Sequence, residues 1–160
     1  MKNHEWVGDK LLQTNKKYSH LKQKQRDERE LSREQSESLV LEPLDVLLTV
    51  CKVEDYSQID RSQPFCFTGA TDEELSLVCP TDIVPENTTE RDDGWRAFRI
   101  VGTLDFSLIG ILARISKILA ANEIGIFAIS TYNTDYILTK EDNYEKALNV
   151  LKGSGYTIKE

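Results

Sequence analysis

The chain has 160 residues, 39% apolar and 29% charged, with a net charge of −7. That suits one modest domain, or two small ones sharing a core. No apolar run approaches the roughly 20 residues a membrane span needs, so a membrane is not an expected partner.

The charge is uneven. Residues 1–37 carry nine Lys/Arg against seven Asp/Glu, and residues 38–160 carry eleven against twenty. An acidic body repels phosphate backbones, so nucleic acid is not an expected partner either. The start, MKNHEWVGDK, lacks a charged lead into an apolar core. No export signal is therefore expected, and the cytoplasm is the expected location. The three cysteines, Cys51, Cys66 and Cys79, show no CxxC spacing and sit in apolar stretches. They read as reduced, buried side chains.

Residues 1–37 are hydrophilic, with few apolar side chains to offset ordering entropy. A frayed helix or disorder is expected there. Both histidines, His4 and His20, lie in this tail and read as solvated.

From Ser38 the character changes. LDVLLTVCKV (44–53), PFCFTGAT (64–71) and ELSLVCP (74–80) read as strands. TDIVP reads as a short helix or turn, and PENTTERDDG (85–94) as a loop. WRAFRIVG (95–102) alternates and reads as a strand. In LDFSLIGILARISKILAANEIG, Leu108, Ile111, Leu112, Ile115, Ile118 and Leu119 recur at helical spacing. Asp105 stands where an N-cap belongs. GIFAIST (125–131) and DYILT (135–139) are strands. NYEKALNVLKGSG is a second helix, capped by Asp142 or Asn143, and YTIKE an edge strand.

Residues 95–160 therefore run β-α-β-β-α-β, with a looser version before them. The expected class is α+β, a ferredoxin-like βαββαβ fold. The expected division is a tail at 1–37, a degenerate first half at 38–93 and a full second half at 94–160.

ELSLVCP, GWRAFRIVG, LDFSLIGILA and above all ISTYNTDYIL resemble the ACT domain. The likeness is to the subfamily shared by compact bacterial two-ACT proteins and the eukaryotic cytosolic arginine sensors, and it spans roughly Leu41 to Thr157. It implies two ACT-like halves packed together and a regulatory role. Its site would hold a free amino acid, cationic first, between ACT units. One wall would be the Asp105–Gly110 loop, including Phe106 and Ser107. The other would be Gly125, Ile126 and Phe127. Asp135 matches the acidic position that receives a cationic end in the arginine sensors. Only one pair of halves is present, so a full pocket implies a dimer.

The residues themselves allow other roles. Asp105 can be a cap only, worth about 1 kcal/mol. Gly110 can admit a ligand or only pack on the sheet. Ser130 and Thr131 carry hydroxyls, but strand Thr is common. Asn133 suits a tight turn. Asp135 is disfavoured in a strand and needs a partner, whether amide, arginine or ligand cation.

Three functions compete: an amino-acid sensor, a ligand-free interaction or dimerisation module, and an enzyme. Residues 38–160 contain no histidine, no GxSxG, no Walker loop and no metal-ligand cluster. No catalytic residue, metal site or cofactor is expected. The expected partners are a free amino acid and either a second copy or a regulated protein.

Overall fold

The computed structural model describes residues 3–37, 39–102 and 109–160, with side chains described over 13–30 of the first segment. Contacts divide the chain into Met1–Ser38 and Leu39–Glu160.

The first unit is one helix, α1 (Asn3–Glu37). Helix is one of the two states expected of this tail. Its Lys, Arg, Gln, Glu and Leu are good helix formers, and no proline interrupts them. Gln23 donates to Asp27 one turn on, at 2.9 Å. Every side chain described over 13–30 is exposed, Tyr18 and Leu21 among them.

The second unit contains β1 (Val40–Val53), β2 (Phe67–Ala70), β3 (Leu75–Pro80), a 3-10 turn (Thr81–Ile83), β4 (Thr88–Ile100), α2 (Ile111–Ala121), β5 (Phe127–Ser130), β6 (Asp135–Lys140), α3 (Glu141–Gly153) and β7 (Thr157–Ile158). The strands form one sheet in the order β2-β3-β1-β4-β6-β5, and β7 pairs in parallel with the start of β1.

Three boundaries differ from expectation. The polar 85–94 segment is not all loop, because β4 starts at Thr88. Its Thr88–Asp92 stretch pairs with the end of β1, so a central strand supplies the partner that composition could not reveal. α2 starts at Ile111, and its N-cap is Gly110 rather than Asp105. α3 starts at Glu141 behind Lys140, ahead of the expected caps Asp142 and Asn143.

The sheet order is that of two matching halves. β1 and β4 lie antiparallel at the centre, with Leu48 opposite Trp95. Each then pairs outward with a hairpin of the same register. Phe67 faces Val78 and Ala70 faces Leu75 in one, and Phe127 faces Leu138 and Ser130 faces Asp135 in the other. Both hairpin turns close alike: Thr71 N–H donates to Glu74 O, and Thr131 N–H to Thr134 O, each at 2.9 Å. The halves diverge in their coverings. α2 and α3 cover the second half, burying Phe98, Ile100, Ile115, Leu119, Ile137 and Leu151. Tyr144 of α3 anchors that layer by donating to Ala97 O at 2.8 Å. In the first half Tyr56, Ile59, Cys66, Ile83 and Val84 cover Cys51, Val53, Leu77 and Cys79 instead.

The opposite face is concave. Leu44, Leu48, Val78, Ala97 and Leu138 form its floor. Phe67 of β2 meets Tyr136 of β6 there, with ring centroids 5.2 Å apart. Those strands are not neighbours in the sheet, so the sheet curls until its halves touch.

Candidate functional site

Sequence points to two elements, and the hairpin register decides how they lie in one chain. Ser130 pairs with Asp135 at one end of the β5–β6 hairpin, and Phe127 pairs with Leu138 toward the other. At about 3.4 Å per residue those pairs are roughly 10 Å apart. Asp135 and Thr131 thus sit at one end, and Gly125, Ile126 and Phe127 at the other.

Asp135 lies at the hairpin end next to the last residue of β4. Thr134, buried beside it, donates through Oγ1 to Ile100 O at 2.8 Å. That bond fixes the 131–134 turn to the point where β4 runs out into the 101–110 segment. Thr131 Oγ1 contacts Thr134 O at 2.9 Å, so its hydroxyl serves the turn. Asp135 does have a partner: Ser130 Oγ donates to Asp135 Oδ1 at 2.6 Å. Among the described residues no cation forms an ion pair with this carboxylate. Alternation along β6 sends Asp135 and Ile137 to the helix-covered face and Tyr136 to the concave one.

Asp105, Phe106 and Ser107 lie outside the described residues. Gly110 is described, with φ of 79° at the N-cap of α2. A Cβ there would meet nothing closer than Arg114 Nη1, at 3.8 Å. Glycine is favoured at this position by its left-handed backbone, not by close packing.

At the far end, Gly125 is exposed and a Cβ there would meet nothing within 4 Å. Ile126 packs into the helix-side core. Phe127 turns to the concave face, where its ring lies 6.2 Å from that of Trp95.

Sequence reasoning missed Arg114. On an amphipathic helix an arginine reads as part of the solvated face. In the structure it stands in the first turn of α2 beside Gly110. Its Nε is buried and has no close hydrogen-bond partner. The guanidinium lies near Tyr156, where it works against the burial that raises that phenol above its ordinary value. The helix N-terminus and the incompletely satisfied guanidinium of Arg114 lie together, and the cation-free Asp135 carboxylate stands at the turn end of β6. The first two can take a ligand carboxylate, and Asp135 can take a cation.

Residues 90–153 match the family model described as ACT domain. The human protein named cytosolic arginine sensor for mTORC1 subunit 1 is 37% identical over 82 residues, covering 51% of this chain and 24% of the sensor. The chain thus spans about a quarter of the length of the curated relatives it matches. A crystal structure of a protein from Agobacterium tumefaciens is 28% identical, with a TM-score of 0.66, covering 76% of this chain and 92% of that one. The structure of aspartokinase α and β subunits shares the fold at 17% identity and a TM-score of 0.53, covering 71% of this chain and 95% of that one.

Proposed function

We propose that the protein is a cytoplasmic regulatory binder of a free amino acid, cationic first, rather than an enzyme, a reading supported by the match of residues 90–153 to the ACT domain model. The carrying observation is Asp135, a carboxylate oriented by Ser130 with no cationic partner among the described residues. Arg114 and the N-terminus of α2 supply complementary positive charge for the ligand's carboxylate. The arginine-sensor relatives support an amino acid as the ligand class.

The site is completed by a second copy. In one chain the Gly125–Phe127 end lies roughly 10 Å along the hairpin from Asp135. β5 is the outer strand of the sheet path, so one side of its backbone is open to another strand. Antiparallel pairing of two β5 strands would set Gly125 of one copy beside Thr131 and Asp135 of the other. Asp105, Phe106 and Ser107 would line the same pocket.

The test is thermal unfolding of the full chain against each of the twenty amino acids. A ligand at 100 times its dissociation constant stabilises by about 2.7 kcal/mol, a shift of several degrees. A shift with arginine or lysine that is lost in Asp135→Ala supports the proposal. No shift with any amino acid overturns it. A ligand-free interaction module is the second reading, favoured by two outward apolar side chains of the second half, Ile109 at 86% exposure and Tyr132 at 80%.

A further inference from the structure

We propose that the concave face holds a second binding site, bordering the Gly125–Phe127 segment of the first, at the Phe127 end of the seam between the halves, for a small aromatic amine. The β1–β3 and β4–β6 registers match, so positions on one side of the seam have counterparts on the other. Lys52 pairs with Ser76 and with Glu90. In the corresponding places Arg99 pairs with Tyr136 and with Glu42. Phe127 corresponds to Phe67, since they face Leu138 and Val78 from the same hairpin position.

One seam is filled. Tyr136 packs against Phe67 at 5.2 Å and Phe65 at 6.4 Å. Arg99 Nη1 reaches its hydroxyl at 3.4 Å, while Arg99 Nε is held by Glu42 at 2.7 Å. The other seam has the same plan without counterparts of the Tyr136 and Phe65 rings. Ser76 stands where Tyr136 would be, and Gly125 where Phe65 would be. A cavity of about 480 Å³ remains, lined by Val50, Lys52, Glu74, Ser76, Glu90 and Phe127 among others. That is within the range of small-molecule sites.

The missing group is a phenol-sized ring, and the Phe127 ring is there to stack on it. The charge at the rim selects the substituent. Lys52 Nζ stands 3.7 Å from Glu74 and 3.7 Å from Glu90, so two carboxylates share one ammonium. Both distances exceed those of a closed charge-assisted hydrogen bond. Asp92, also on the rim, is already held by Lys140 at 2.6 Å and by the Trp95 indole at 3.1 Å. One negative charge is thus uncompensated among Lys52, Glu74 and Glu90. A second ammonium, carried on a short chain from the ring, balances it. This site is independent of Asp135, whose side chain lies on the other face of the sheet.

Tyramine titrated into the full chain by calorimetry tests it, with phenylacetate as the anionic control. Saturable tyramine binding is expected, unchanged in Asp135→Ala. Ser76→Tyr should fill the cavity from within and abolish binding, with a melting temperature no lower than the parent's. Glu74→Gln with Glu90→Gln should weaken binding about tenfold, and this pair decides the matter if Ser76→Tyr does not fold. The proposal is overturned by no saturable binding up to about 10 mM. It also fails if folded Ser76→Tyr binds like the parent, if the double glutamine variant does, or if phenylacetate binds as well as tyramine.

Discussion

Ser130 donates a 2.6 Å hydrogen bond to Asp135 across the end of the β5–β6 hairpin. It commits one carboxylate oxygen and holds the other in a fixed direction. Ser130→Ala should leave the fold intact, because the side chain is exposed. The freed carboxylate would have to be reordered by the ligand. Affinity for a cationic amino acid should fall about three- to tenfold, the range of one hydrogen bond to a charged group after solvent compensation. Ser130→Thr should restore most of it. Calorimetry on the three proteins checks this, and equal affinity in Ser130→Ala would remove Ser130 as a positioning residue.

Thr134 makes the next prediction. It is buried, and its hydroxyl donates to Ile100 O at 2.8 Å. Thr134→Val keeps the shape but removes the donor. The loss should be about 1–2 kcal/mol, or roughly 4–8 °C in melting temperature for a unit of this size. Thr134→Ser should recover part of it. Ligand affinity should also drop, since this bond fixes the turn against the end of β4.

Much of this was legible in sequence, and the misses have physical causes. The stripe through Ile111, Ile115 and Leu119 marks α2 because burial on one helix face repeats every three or four residues. Its start was misplaced because Asp105 has the chemistry of a cap, whereas the cap in use, Gly110, works through backbone conformation. The front of β4 was hidden because Thr88–Asp92 is polar, and its pairing with β1 is a long-range fact. Arg114 and Ser76 carry no local signal. The first matters through its neighbour Gly110, the second through its correspondence with Tyr136 across the seam.

Glu42 gives a pH signature. Its carboxyl is held below the ordinary value of 4.5, first by the hydrogen bond from Lys159 and then by that from Arg99. A depressed folded value means the stabilisation is present above about pH 4.5 and fades as pH falls through the lower folded value. These bonds tie the residue after β7, and β4, to the start of β1. Glu42→Gln should therefore be less stable than the parent near neutrality. The difference should close in acid, below pH 4.5. Denaturant melts of both proteins across that range check this. A gap that persists at pH 2 would mean that packing, not charge, explains the loss.

The cysteines give the last prediction. All three are free, and Cys51 and Cys79 are buried. Burial first, with the neighbouring Cys51 and Cys66 adding to it, pushes the Cys79 thiol up to about 12. Burial also raises Cys51 and the half-buried Cys66. The reactive species is the thiolate, so native Cys79 should be almost inert at pH 8. A thiol reagent added to the folded protein should modify Cys66 first and slowly, and Cys79 only on unfolding. In denaturant all three should react at once. Rapid modification of Cys79 in the native state would show that the layer formed by Tyr56, Ile59, Cys66, Ile83 and Val84 opens readily. The first half would then owe little of its stability to that covering, and its sheet would stand chiefly on the β1–β4 pairing.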